Sequence, residues 1–263
     1  MVKKYRKKNK LLLRRRKVAV RRFWRFFRLF LIGIFFVGML WGLNYLYNSN
    51  YFKIKSIEVE GNSHYQDSAI KEQIADTVGT NIFEVNVKKA EDKLIEDLFW
   101  IKEVKLNKIF PDEIKITVRE RNPYIRIAHG NKLYLADDEG VILEEIGKDE
   151  QEKYCRLILV RDAVDYYPEP GEKIAKKNAL SCGKIYLILD SKIKEDIKEA
   201  KLAKNVYGDI IFLTTGKKEI IFGSSDNIVQ KCEILKQIMD QLLIEEFEYD
   251  TIDLRIVENP TVR

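Results

Sequence analysis

Apolar residues follow three rhythms along the chain of 263 residues. From Leu29 to Tyr47 they are nearly continuous: 19 residues without Lys, Arg, Asp or Glu, in which Asn44 is the only strongly polar side chain. As a helix this run spans about 28 Å, close to the roughly 30 Å of a bilayer's hydrocarbon core. Beyond it the apolar positions alternate or recur at helical spacing. "KSIEVEG" alternates, with Ile57 and Val59 on one face and Ser56, Glu58 and Glu60 on the other, and Gly61-Asn62 ends it. Ile70, Ile74 and Val78 predict a helical stripe, capped by Ser63 with Gln66 or by Asp67 alone, and stopped by Gly79. Val87, Ala90, Leu94, Ile95 and Leu98 fit one face of a second helix, with Asn86 as its cap. Val104 and Leu106, then Ile114, Ile116 and Val118 after "FPDE", predict two further strands. The order over residues 51–123 is βααββ, and packing the helix pair on one side of a small sheet buries every apolar face.

The rest reads as a mixed β-rich domain with flanking helices over residues 124–257, followed by a short tail at 258–263. "KLYLADDEGVIL" predicts a hairpin: Leu133 and Leu135 approach a turn at Asp137-Asp138-Glu139-Gly140, Val141 to Leu143 leave it, and Gly140 supplies a positive φ. The adjacent acids there are assigned to turn chemistry rather than to a metal. "YCRLILV" predicts a buried strand, and "IAKKNALSCGKIYLIL" a helix. "SKIKEDIKEAKLAK" has helical composition. "DIIFLTTGKKEIIFG" predicts a hairpin around Gly216. Helical spacing links Ile228, Cys232, Leu235, Met239 and Leu242, with Asp226 as a cap. "TIDLRIV" predicts a last strand with Ile252, Leu254 and Ile256 facing one way. The fold class is therefore α+β, preceded by one apolar helix.

Charge fixes how that helix is read. Fourteen of the chain's 47 Lys and Arg lie between Met1 and Arg28, and the first acid is Glu58; the other 33 bases face 41 acids, a net of −8. A basic arm (residues 1–28) therefore precedes the apolar run (29–47) and an acidic body follows. An interfacial amphipathic helix needs a polar face, which this run lacks. A cleaved signal peptide needs a small-x-small site, which "WGLNYLYNSN" lacks. A retained single span remains. Arg21, Arg22, Arg25 and Arg28 then place the N-terminus in the cytoplasm, and Trp41 and Tyr45 mark the far interface. The arm is expected to lie on anionic lipid headgroups rather than on nucleic acid.

Candidate chemistry is sparse. His64 and His129 are isolated near predicted turns and read as surface residues. No HExxH, GxSxG, Walker loop or GxGxxG occurs. A Ser–Lys membrane peptidase would need a buried lysine beside a serine, but Ser49 and Ser56 stand in exposed-looking sequence. Cys155, Cys182 and Cys232 contain no CxxC and read as buried free thiols, although a Cys155–Cys182 bridge stays open. Neither an enzyme nor a cofactor, metal or small-molecule substrate is expected. A binding scaffold is. The segment from Ile252 to Val257 offers a strand for partner addition if it lies at a sheet edge. Alternatively the chain's own "ENPTVR" covers that edge.

"SIEVEGN", "GTNIFEVN", "FWIKEV" and "IFPDEIKITVRERNP", in this order after a basic arm and one span, resemble the POTRA domain of the bacterial FtsQ/DivIB family. The hairpin around Gly140, "FGSSDNIVQKCEIL" and "YDTIDLR" resemble that family's β domain; in its middle the family often has a proline where this chain reads "LILV". The resemblance implies a non-catalytic division protein of the cytoplasmic membrane, concentrated at the septum, that helps control septal peptidoglycan synthesis. Its implied partners are FtsB/DivIC-like and FtsL-like single-span proteins, bound around Tyr249, Ile252, Leu254, Arg255 and Ile256. The resemblance also implies an extended segment near Ile197 to Leu202. The other reading of the same architecture is a POTRA-bearing envelope chaperone that takes extended peptides at its sheet edge.

Overall fold

The computed structural model describes residues 2–205 and 208–263, with no side-chain description for residues 2–22 and 148. The first element, α1 (Val2–Tyr47), runs for 46 residues, so the helix takes in the basic arm as well as the apolar run. From Phe23 to Tyr47 it is long and apolar enough to cross a membrane. Every side chain there is exposed, an arrangement that suits lipid rather than water.

The chain divides into two compact units: Met1–Glu58, Ile74–Val87 and Leu106–Ile116 make up the first, and Val59–Gln73, Lys88–Lys105 and Thr117–Arg263 the second. The predicted βααββ order is present as β1 (Ser56–Glu60), α2 (Asp67–Gln73), α3 (Val87–Asp97), β2 (Ile101–Ile109) and β3 (Glu113–Glu120). The three strands form a sheet in the order β1–β3–β2. In the first unit Ile54, Ile74, Ile82, Leu106, Ile114 and Ile116 are buried; in the second, Ile70, Ala90, Leu94, Leu98 and Val118 are.

Two local expectations change. The stripe does not reach Val78, because α2 ends at Gln73 and a 3-10 turn at Ala75–Thr77 leaves Val78 49% exposed. α2 begins at Asp67, so Ser63 lies outside its N-cap position; the Ser63 N–H, with those of His64 and Tyr65, donates to the Glu120 carboxylate at 2.9, 2.7 and 3.1 Å. Three donors converging on one carboxylate fix the turn before the helix.

The remainder of the second unit is built on nine strands: β4 (Ile125–His129), β5 (Lys132–Ala136), β6 (Ile142–Ile146), β7 (Leu159–Arg161), β8 (Ile197–Leu202), β9 (Ile210–Thr214), β10 (Glu219–Gly223), β11 (Thr251–Asp253) and β12 (Thr261–Val262). Their order is β12–β11–β10–β9–β8–β7–β4–β5–β6. β7 pairs in parallel with β4 on one side and with β8 on the other. Both hairpins predicted from sequence, β5–β6 and β9–β10, are antiparallel pairs. Helices α4 (Lys177–Ile188), α5 (Ser191–Asp196) and α6 (Ile228–Glu245) accompany the sheet. One core joins Ile127, Val160, Ile185, Phe212, Phe222 and Leu235, all fully or almost fully buried.

"SKIKEDIKEAKLAK" turns out to hold both of its candidate structures, with α5 passing directly into β8 at Ile197. β4 carries no clear sequence signal, and "YCRLILV" supplies only the first two of the three residues of β7. The turn after β5 follows the expected chemistry. Gly140 has φ +84°, and the buried Asp137 carboxylate accepts from the N–H groups of Glu139 and Val141 at 3.0 and 2.8 Å. Arg121 closes the arrangement on the other Asp137 oxygen at 2.6 Å.

The three cysteines are free, and Cys155 is exposed rather than buried. Burial pushes the Cys182 thiol up to about 12 and the Cys232 thiol up to about 11, so both stay protonated at neutral pH.

Val160 is fully buried at the centre of β7. Val160→Asp sets an unpaired carboxylate there and should destabilise the protein by about 3–5 kcal/mol. Pulse proteolysis of the full chain in detergent checks this. Val160→Ile, which stays apolar but adds a methylene to a filled core, should cost less, about 1–3 kcal/mol.

Candidate partner-binding end of the nine-stranded sheet

The last strand is shorter than the sequence predicts, and it is not an edge. β11 covers only Thr251–Asp253, pairing in parallel with β10 (Ile220 opposite Ile252) and antiparallel with β12 (Ile252 opposite Val262). The chain's own tail therefore supplies the covering strand. Pro260 does not prevent this, because it precedes the paired residues. Arg263 exchanges both backbone hydrogen bonds with Thr251, at 3.0 and 2.9 Å, and its carbonyl also accepts from Asp250 N–H at 2.7 Å. In an antiparallel ladder such exchanging pairs recur every second residue. Thr261 and Arg263 thus turn their polar groups toward β11, and Val262 turns its N–H and C=O outward.

The five residues expected to bind a partner divide by burial. Tyr249, Ile252 and Leu254 are 7%, 0% and 1% exposed and belong to the core. Leu254 N–H donates to Ile221 C=O at 2.8 Å, continuing the β10–β11 ladder by one step. The Lys218 ammonium lies 4.3 Å from the Tyr249 ring centroid, and burial raises the Tyr249 pKa. Ile256 does not share the inward face of Ile252: the chain turns after Asp253 and leaves it 61% exposed.

Arg255 is held by Asp253. Its backbone N–H and its Nε donate to Asp253 Oδ1, both at 3.0 Å, and a terminal guanidinium nitrogen donates to Oδ2 at 2.6 Å. That hydrogen-bonded guanidinium holds the Asp253 carboxyl below the usual carboxylate range. The turn needs a glycine opposite it. Gly223 has φ +71°, and a Cβ there would come within 2.7 Å of Arg255 Cγ.

α6 completes the end of the sheet. Asp226 is not its cap, since it accepts from Ser224 Oγ at 2.9 Å, and Asn227 occupies the N-cap position in the left-handed region. One turn in, Lys231 is almost fully buried, and its ammonium donates to the carbonyls of Phe222 and Ser224 at 2.7 and 3.1 Å. Burial lowers its pKa. Sequence patterning gives no hint of this lysine, because a cation between apolar helix positions normally faces water. At the other end of α6, Leu243, Ile244 and Phe247 are exposed. Phe247 also lines a groove of about 280 Å³, together with Ile238, Gln241, Leu242, Glu245 and Val262. These residues escape a reading confined to the last strand. The available signal is "LLIEEF", in which Leu243, Ile244 and Phe247 add apolar residues beyond Leu242, the last residue of the stripe of Ile228, Cys232, Leu235, Met239 and Leu242.

Elsewhere, Arg25, Arg28, Trp41 and Tyr45 are exposed along α1, while the side chains of Arg21 and Arg22 lie outside the described residues. His64 stacks on Trp100 at 3.8 Å, and His129 meets Tyr167 edge-on at 4.6 Å. Among the described residues no group of three or more His, Cys, Asp or Glu could hold a metal ion. Ser49 caps a 3-10 turn by accepting from Tyr51 N–H at 3.3 Å, and the nearby Lys55 is paired with Asp112 at 2.7 Å.

Two family matches cover most of the chain. Residues 52–121 match the POTRA domain, FtsQ-type, and residues 125–255 match the C-terminal domain of cell division protein FtsQ/DivIB. The chain belongs to the FtsQ/DivIB family of cell division proteins. It is similar to cell division protein DivIB of Clostridium acetobutylicum, 37% identical over 36% of this chain and 37% of that protein, so that match spans just over a third of the relative's length. Longer matches reach DivIB of Clostridium botulinum, 25% identical over 80% of this chain and 81% of the relative. FtsQ of Chloroflexus aurantiacus is 27% identical over 87% of this chain and 79% of its own length. Family and apolar helix together fit a single-pass membrane protein of cell division.

The depressed Asp253 pKa carries a pH signature. A carboxyl lowered in the folded state contributes stability that is present above its unfolded pKa, near 3.9, and is lost as pH falls through the folded value. Asp253→Asn removes that contribution. The stability gap between wild type and Asp253→Asn should be largest near neutrality and shrink below about pH 4. Urea titrations of the two chains across that range give the comparison.

Proposed function

We propose that this chain is a non-catalytic bitopic scaffold of the division machinery, with its N-terminus in the cytoplasm and both outer domains beyond the membrane. It is concentrated at the septum, where it helps control peptidoglycan synthesis by holding FtsB/DivIC-like and FtsL-like single-span proteins. The observation that carries this reading is the C-terminal end of the nine-stranded sheet. There the two-residue edge strand and the apolar end of α6 meet at the groove lined by Leu242, Phe247 and Val262, and Ile256 is exposed in the turn after β11. Family membership supports the setting in cell division. The basic arm supports the orientation and a contact with anionic headgroups.

Edge length shapes how a partner binds. β12 has two residues, and only Val262 turns its polar groups outward, so strand addition alone gives few hydrogen bonds. The partner segment in this proposal lays one short strand along β12 and seats apolar side chains against Leu243, Ile244, Phe247 and Ile256. Tyr249, Ile252 and Leu254 support the surface from beneath.

Proline tests the strand component. At Arg255 it would break the local hydrogen bond to Asp253 and say little about a partner. At Val262 it removes the outward donor while leaving the β11 pairing groups in place. Val262→Pro should weaken partner binding by about 1 kcal/mol, roughly fivefold in Kd, and Val262→Ala, which loses the same packing in the groove and against the core but keeps the donor, is the control. Unchanged binding by Val262→Pro together with loss in Ile256→Asp would assign recognition to side chains alone. Loss in neither variant would remove this end of the sheet from the interface.

Localisation separates division from the envelope-chaperone reading. A fluorescent fusion should gather at midcell before constriction; an even distribution around the envelope would favour the chaperone.

A further inference from the structure

The first compact unit carries a second apolar surface, at the end of the span. Tyr47, the last residue of α1, stacks on Phe83 with ring centroids 5.7 Å apart and planes 19° apart. Asn81 Nδ2 donates to the Tyr47 carbonyl at 2.5 Å, and Tyr47 OH donates to Glu84 at 3.5 Å. The ring contacts continue from Phe83 to Phe52 at 5.1 Å and to Phe110 at 5.3 Å, and from Phe52 to Tyr51 at 5.1 Å. Despite these contacts, Tyr51, Phe83 and Phe110 remain 58%, 46% and 56% exposed. Val78 and Ile109 in the same unit are exposed as well. Three loops separated in sequence thus bring bare apolar side chains together beside the point where the chain leaves the apolar helix.

We propose that this aromatic collar inserts into the interfacial layer of the bilayer leaflet from which α1 emerges, holding the first outer domain down on the membrane. The proposal rests on the single-span reading. Lipid is favoured as occupant by continuity: the ring that begins the collar, Tyr47, belongs to the helix that already requires a bilayer around it. Aromatic side chains with an apolar body and a polar tip favour the headgroup boundary, as Tyr47 and Tyr51 would here. Exposed Lys53 and Lys55 flank the collar and can reach headgroup phosphates, although Asp112 and Glu84 keep the local charge mixed. Apolar insertion is accordingly the main contact, and it should persist at high salt.

The collar limits what the outer domains can do. A single span followed by a loose linker would let them swing through a wide cone. Rings embedded beside the helix end would instead fix the height and tilt of the first domain.

Site-directed spin labelling of the full chain in vesicles of phosphatidylcholine and phosphatidylglycerol tests the proposal. In a Cys155→Ser background, single labels are placed at Phe110→Cys and Tyr51→Cys in the collar, at Trp41→Cys in the span and at Ile95→Cys on α3. Both collar positions are exposed, so either substitution leaves the core intact. Accessibility to oxygen, which partitions into lipid, is compared with accessibility to a water-soluble nickel complex. The expected result is a shift of both collar labels away from the Ile95 value and toward the Trp41 value, unchanged at high salt. Collar labels that match Ile95 while Trp41 reports lipid would overturn the collar and leave the span intact. A Trp41 label that itself reports water would overturn the span reading and the collar with it.

Discussion

Three residues hold the nine-stranded sheet together. β7, Leu159–Arg161, is bonded in parallel to β4 on one side and β8 on the other. Among the described residues no other strand links β4–β5–β6 to the five strands that end in β12. Parallel neighbours cannot be joined by a tight turn, so the chain must travel between them. α4 and α5 lie on the route from β7 to β8. Burial of Val160 in the shared core offsets the small number of hydrogen bonds that so short a strand can make. The position of the C-terminal end, and so of the surface proposed for partners, depends on this link.

The constraint at the far end is of a different kind. A sheet edge in water exposes unpaired backbone groups that invite indiscriminate pairing. Here the tail covers β11 and leaves an edge only two residues long. A short edge offers little backbone for indiscriminate pairing, so a partner bound as proposed would gain its affinity mainly from side chains. Leu243, Ile244, Phe247 and Ile256 are exposed, and Phe247 shares a groove with Val262 of the edge strand, which is the area the proposal draws on. Buried Ile252 and Leu254 keep the backbone in place, so their substitution would confuse folding with binding.

Much of the fold is legible in the sequence where one face of an element is wet and the other dry. β1, β3, α3 and the two hairpins around Gly140 and Gly216 all alternate or repeat cleanly, because side chains on their two faces meet different solvents. Legibility fails where that contrast disappears. β7 is too short to show a period. β4 buries the adjacent residues Ile127 and Ala128 as well as Ile125, so its pattern does not alternate cleanly. α5 passes into β8 without a glycine or proline to mark the change. At the site, the cover over β11 depends on hydrogen bonds of Arg263, which leave no trace in side-chain pattern. Buried Lys231 serves two carbonyls that become neighbours only after folding. Ile256 misleads, since it keeps the alternation after the strand has ended.

The C-terminal end of the sheet, as a docking surface for other single-span division proteins, is the central claim. Photocrosslinking in dividing cells addresses it most directly. A photoreactive residue is placed in turn at Ile244, at Ile256 and, as a remote exposed control, at Leu187 on α4, and the captured proteins are identified by mass spectrometry. Discrete adducts with small single-span division proteins are predicted from Ile244 and Ile256, and none from Leu187. Adducts absent from both sites, or equal capture of unrelated envelope proteins at all three, would contradict the claim.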